Sequence, residues 1–171
     1  SRRRAHVKRV RLIAAAERLP EHLRARWLWW RLDAPPARNA TLADVLDDAP
    51  AGACWNSAEK TARLLSQMSL LQRARVSALQ ASGKPHVGAL FRRIRIENGV
   101  RVQRAEARFD GLAGCLRTPA GGSSKQTLLF VEGENVRSRL ISPREAARLM
   151  GAPDEYPLPA GQTAALHLLG D

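Results

Sequence analysis

Two neighbouring stretches, RFDGLAGCLRTPAGGSSKQTLLF over residues 108–130 and RSRLISPREAARLMGAPDEYPLP over residues 137–159, decide how this chain is read. The first is a glycine-rich polar loop, Asp110 to Gln126, opening directly into an apolar strand, Thr127 to Val131. Its glycines Gly111, Gly114, Gly121 and Gly122 admit positive φ and close backbone approach, while Arg117, Thr118, Ser123, Ser124, Lys125 and Gln126 supply hydrogen-bond donors. No Gly-Lys-Ser/Thr closes a glycine-spaced loop, so it is not a phosphate-binding loop of the nucleotide type. With a strand following at once, the spacing predicts an ordered loop between strands. The second stretch follows a turn at Glu132 to Asn135 and starts as a strand, Val136 to Ile141. Ser142-Pro143-Arg144-Glu145 then reads as a capping box with proline at the first helical position, and Gly151 with Pro153 stops the helix. Ala146, Leu149 and Met150 face a core. Glu145 closes the cap in the structural reading; an Arg144–Glu145 ion pair is the functional one.

Upstream, Ile94, Ile96, Val100 and Val102 alternate around Asn98-Gly99, the dipeptide of a tight type I′ hairpin turn. The same alternation places Arg93, Arg95, Arg101 and Gln103 on the opposite face. A two-stranded ribbon fits the major groove of DNA, and a solvated outer sheet face accounts for the arginines equally well.

Further back the pattern is helical. Ser57 to about Gln80 reads as one helix with Leu64, Leu65, Met68 and Leu71 inward and Lys60, Arg63, Arg73 and Arg75 outward, ended by Ser82-Gly83-Lys84-Pro85. Thr41 caps a short helix with Val45 and Leu46 on its buried side. Glu21 to Leu32 lies between Pro20 and Pro35-Pro36, and Leu23, Trp27 and Trp30 fall at helical spacing. The tryptophans suit base stacking, but such a stripe more often faces a core. Ala34 to Asn39 is a linker.

The 171 residues carry 28 Lys and Arg against 16 Asp and Glu, a formal net charge of +12. Such a surplus favours a polyanionic partner, because each neutralised phosphate releases counterions. Arginine-rich codon usage is the bland explanation. Two cysteines, Cys54 and Cys115, are too few for a disulfide framework, lack zinc-ligand spacing and read as small buried residues. No apolar run reaches membrane-spanning length and no signal-peptide core follows the basic N-terminus, so a soluble cytoplasmic protein without a metal is expected.

The order of these segments resembles the C-terminal part of bacterial DNA (cytosine-5) methyltransferases. In that family a recognition loop of the Thr-x-x-x-Gly-Gly kind precedes an R-x-L-x-x-R-E-x-A-R-L-x-G-x-P-D block, here Arg139 to Asp154, and a Gly-Asn or Gly-Asp marks the last motif. The resemblance implies that residues 86–141 are a β-rich target recognition region. Arg93, Arg95, Arg117, Thr118, Gly121, Gly122, Ser123, Ser124, Lys125 and Gln126 are then the DNA-contact candidates. It implies that residues 1–40 hold a basic strand, helix and linker, with Arg9 and Arg11 at the family's Arg-x-Arg positions, although Val7 stands where the family usually has Gln. Residues 41–85 are helical, and residues 142–171 form the closing helix and the start of the last motif. There Gly170 and Asp171 correspond to part of the S-adenosylmethionine pocket. The expected architecture is α+β: a helical N-terminal portion, a small twisted, mostly antiparallel sheet, and a short C-terminal helix.

Cytosine methylation at carbon 5 needs a thiolate nucleophile, a carboxylate and a bound methyl donor acting on a flipped base. The family keeps its Pro-Cys and Glu-Asn-Val ahead of the Arg-x-Arg strand, and the chain has neither there. Cys54 and Cys115 are not preceded by proline, and Glu134-Asn135-Val136 falls after the recognition loop. The expectation is a split subunit or a fragment, inactive alone, that binds double-stranded DNA and a catalytic subunit or the rest of the same enzyme, with an apolar docking surface prone to self-association. A stand-alone DNA-binding or regulatory module is the alternative, and an RNA-binding protein a third.

Overall fold

The structure is a computed structural model that describes residues 11–28, 37–50, 54–116 and 126–170. The chain divides into two compact units, Ser1–Ala37 and Arg38–Asp171. In the first, residues 11–17 are helical where a strand was expected. Ala14, Ala15 and Ala16 explain it, since alanine is the strongest helix former. A second helical segment, Glu21–Arg24, follows Pro20 and is a single turn instead of a helix to Leu32. Leu23 and Trp27 stand exposed, because one turn has too few residues to bury a stripe. Trp30 lies outside the described residues.

The second unit is α+β, as its alternating and helical stretches predict. Its elements are a 3₁₀ turn (Ala43–Val45), α1 (Ala58–Ser66), α2 (Leu70–Ala81), β1 (His86–Glu97), β2 (Val100–Arg108), β3 (Thr127–Glu132), β4 (Asn135–Leu140), α3 (Pro143–Leu149) and α4 (Gln162–Gly170). The strands form one antiparallel sheet in the order β2-β1-β3-β4. Leu90, Ala105, Ala107, Leu129 and Val131 on one face pack against Leu64, Met68 and Val76 of the α1–α2 region. Ala89 and Leu128 on the other face pack against Ile141, Ala146, Leu166 and Leu42. Alternation along each strand makes this possible, since neighbouring residues serve opposite cores.

The single helix expected from Ser57 to Gln80 is two. The backbone leaves the helix at Gln67, whose carbonyl accepts from Ala105 N–H at 3.1 Å, and Met68 bridges to Ala105 on the outer edge of β2. Ser69 then starts α2, its Oγ accepting from Gln72 N–H at 3.3 Å. The break satisfies an exposed sheet edge and buries Met68 completely, and it turns Leu71 out to solvent. Met150, expected inward, is likewise exposed, while Ala146 is buried.

Gly88 sits in β1 where Phe109 closes over the strand. A Cβ there would lie 2.7 Å from the Phe109 ring and 2.8 Å from the Arg108 carbonyl oxygen. The ring can turn aside, but the carbonyl belongs to the sheet. Gly88→Ala is therefore expected to destabilise the unit by about 1–3 kcal/mol in a denaturant titration, and an unchanged midpoint would show that β2 shifts freely.

Candidate nucleic-acid interface

β3 pairs with β1 only over His86 to Leu90, whereas β2 follows β1 to Glu97. Beyond Leu90 the hairpin therefore leaves the sheet as a two-stranded ribbon. Its turn is the expected one, with φ of 50° at Asn98 and 79° at Gly99. Both faces of the distal ribbon are open to solvent, with Ile94 57%, Ile96 76% and Val100 63% exposed.

The faces are not sorted as the alternation predicts. Glu97 and Val100 flank the two-residue turn as partners, so even-numbered residues of β1 share a face with odd-numbered residues of β2. Ile94 and Ile96 thus lie with Gln103 and Arg101, while Arg93 and Arg95 lie with Arg104, Val102 and Val100. The single apolar face and the single arginine face expected from the sequence do not exist. Moreover, on the Arg93–Arg95 face much of the charge is matched internally. Arg95 pairs with Glu106 and Arg104 with Glu97, and the Arg93 guanidinium lies 4.8 Å from the Phe91 ring centroid. The Arg104 hydrogen bonds hold the Glu97 carboxyl below its ordinary value.

The glycine-rich loop leaves the sheet at the same level as the ribbon. Gly114 N–H donates to Gln126 Oε1 at 3.0 Å, and Gln126 Nε2 donates to the Leu90 carbonyl at 3.0 Å and that of Thr127 at 3.1 Å. Ile141 N–H reaches the Gln126 carbonyl at 3.0 Å. Gln126, a DNA-contact candidate in sequence, is therefore a buried clasp that joins the two ends of the loop to β1 and β4. Its polar atoms are engaged within the fold because Leu90 is the last β1 residue that β3 reaches, and the Leu90 carbonyl needs another donor. The other loop candidates, Arg117, Thr118, Gly121, Gly122, Ser123, Ser124 and Lys125, lie outside the described residues, as do Arg9 and Asp171. Arg11 lies in the helical segment of the first unit, and Gly170 ends α4.

The 137–154 block contributes a rigid base. Ser142 and Glu145 form the expected capping box. The Glu145 ion-pair partner is not its neighbour Arg144 but Arg139, on the preceding strand. The two meet through paired hydrogen bonds of 2.6 and 2.7 Å, with 1% and 0% of their side chains exposed. Glu145 also accepts from Asp47 N–H at 3.0 Å, and Arg139 lies 5.1 Å from the Phe130 ring centroid. Burial pushes the Glu145 carboxyl up, but Arg139 and the Ser142 and Asp47 N–H groups together outweigh it and hold the group below its ordinary value. Arg148 links Asp47 at 2.6 Å to Asp154, and this raises the guanidinium pKa. Arg144 instead donates to the Pro153 carbonyl. The arginines of the block thus knit strand, helix and 3₁₀ turn into one piece. Arg139 shares a strand face with Arg137 on β4; its partner Glu145 is only six residues on but lies across a strand-to-helix turn, and Asp47 is far along the chain.

Two of the clefts among the described residues border β4. One, of about 380 Å³, has Trp55, Phe130 and Arg137 in its lining together with Asp47, Asp48 and Glu132. The Arg137 guanidinium lies 4.3 Å from the Trp55 ring centroid. The other, of about 330 Å³, lies between α1 and the base of the ribbon. Cys54 and Cys115, read in sequence as buried, are both exposed and free. Among the described residues no group of three or more His, Cys, Asp or Glu could hold a metal ion, and no helix is long and apolar enough to cross a membrane. No protein-family model, curated protein or solved structure matches the chain.

Proposed function

We propose that this chain is the target-recognition and closing part of a DNA (cytosine-5) methyltransferase, acting on double-stranded DNA. The observation that carries this reading is the shared exit point. The ribbon and the glycine-rich loop both leave the sheet beside Leu90, one through β1 and the other through the Gln126 clasp. A ribbon and a loop whose ends are rooted at one place in the same sheet are suited to meet one groove together. In this reading the loop reads bases and helps hold the space left by the flipped cytosine. The ribbon orients the duplex, and the 139–154 block docks the recognition region onto a catalytic part.

S-adenosylmethionine would supply the methyl group on that catalytic part. Of the two residues the resemblance assigns to its pocket, only Gly170 is described, at the end of α4. The chain's own contribution is binding, positioning and docking. Met150, Tyr156 and Leu168 of the closing segment are exposed, which suits a docking role.

The test is selection from a pool of random double-stranded sites at two salt concentrations. A cytosine-containing motif should be enriched, and Arg117→Ala should abolish the preference while leaving salt-sensitive binding. Sequence-blind binding by the wild-type chain, or a preference for single-stranded RNA, overturns the reading. Specific binding by a chain that docks onto no catalytic part would favour the stand-alone module.

A further inference from the structure

We propose that the cleft between α1 and the base of the ribbon is a seat for one backbone phosphate of the duplex, so that DNA lies along the Ile94–Ile96 face of the ribbon and not along the Arg93–Arg95 face. This rests on the DNA reading above and adds which surface meets the backbone and through which residues. The cleft, about 330 Å³, brings Lys60 and Arg63 of α1 together with Arg92 of β1, Gln103 of β2 and Thr127 of β3. Three cations line it and no carboxylate does, in contrast to the Trp55 cleft with its three acids. Lys60 and Arg63 are exposed and make no ion pair among the described residues. Lys60 and Arg63 thus present their charge to the cleft, and a phosphodiester supplies both the opposite charge and the acceptor oxygens.

Two further features suit the same ligand. Gln67 Nε2 donates to Gln103 Oε1 at 3.3 Å, which leaves Gln67 Oε1 buried without a partner among the described residues. Turning both amides over puts an N–H donor there instead, which makes the wall lined by Gln67 and Gln103 more favourable to a nearby anion. Position matters as well. Arg92 precedes Ile94 and Ile96 on one face of β1, Gln103 and Arg101 share that face, and Thr127 adjoins the Gln126 clasp. A phosphate in the cleft would therefore lie beside the roots of both projecting elements, with Arg101 further out along the same surface. The opposite face lacks this capacity, since Glu97 and Glu106 already occupy two of its arginines and would repel a phosphate chain.

The experiment compares the full chain with Lys60→Gln/Arg63→Gln and with a charge-matched control, Arg73→Gln/Arg75→Gln, whose side chains are exposed on α2. Duplex affinity is measured from 50 to 300 mM salt. Losing one phosphate contact should lower the slope of log K against log salt by about 0.9 in the Lys60/Arg63 variant. The control should keep the wild-type slope, and the preference for the selected site over a scrambled one should be equal in all three proteins. Equal slopes for the two variants, with wild-type binding intact, overturn the phosphate seat and leave the DNA reading standing. Absence of duplex binding by the wild-type chain overturns both. A slope change seen only with RNA hairpins overturns the duplex assignment. Far-ultraviolet circular dichroism of the variants, expected to match wild type for these exposed side chains, separates lost contact from lost fold.

Discussion

Glu145→Ala is expected to lower the unfolding free energy by about 3–5 kcal/mol. The reason is the charge it leaves behind. Arg139 is 1% exposed and, among the described residues, keeps as hydrogen-bond acceptors only the Leu140 and Asp47 carbonyls, at 3.2 and 3.4 Å, once its carboxylate partner is gone. Removal of Glu145 also strands the Ser142 and Asp47 N–H groups that it accepts from, at 2.8 and 3.0 Å. Breaking a buried pair from one side is costly because the desolvation of the remaining ion is no longer offset. Replacing both partners with apolar residues, as in Arg139→Met/Glu145→Leu, should recover the part of the loss owed to the uncompensated charge, since the Ser142 and Asp47 N–H groups stay without their acceptor. Urea titrations decide this, and a double variant no more stable than Glu145→Ala would mean that the site depends on packing alone. The same residue sets an acid limit. Its folded pKa lies below its ordinary value of 4.5, so its contribution is complete above that value and is lost as pH falls through the folded pKa. Wild-type stability should therefore drop below about pH 4.5, and Glu145→Ala should lose that part of the pH dependence.

Gln126→Leu is expected to cost about 1–3 kcal/mol in stability and, under the proposed DNA-recognition function, the sequence preference with it. The leucine keeps the buried volume, but Gly114 N–H and the Leu90 carbonyl lose their partner. Part of the penalty is relieved if the loop end swings into water, and that is where the functional consequence arises. Without the clasp the two ends of the loop are no longer tied to the edge of β1, so the loop samples many positions relative to the ribbon and pays ordering entropy on binding. Salt-dependent affinity for non-specific duplex should stay near the wild-type level, since no cation has been removed. Site selection against the random pool and a denaturation curve read the two effects separately. A variant that is destabilised yet keeps its preference would show that base reading does not depend on how the loop is rooted.

Much of the architecture was legible because its signals are local. Asn98-Gly99 determined the hairpin and its turn type, Ser142-Pro143-Arg144-Glu145 determined the start of α3, and alternation marked the strands of an α+β unit. Even the break between α1 and α2 has a local trace, since Ser69-Leu70-Leu71-Gln72 has the spacing of a capping box. Ribbon parity also follows from the two-residue turn, because alternation along one strand does not carry unchanged across the turn to the next. The Ala14-Ala15-Ala16 run outweighed the strand that the family resemblance implied around Arg11.

Tertiary structure alone decided which charges are partnered and which remain available. Arg139 and Glu145 join Asp47 from about a hundred positions earlier, Gln126 closes on Leu90 and Gly114, and Lys60 and Arg63 meet Arg92 and Gln103 across a cleft. A propensity or a turn preference acts over a few residues, so composition and spacing establish the elements and the charge surplus. Hydrogen-bond and ion-pair partners are set by distances of about 3 Å between side chains brought together by packing. For that reason the arginines most visible in the sequence, Arg93 and Arg95, are engaged within the fold, and the basic cleft opens on the other face.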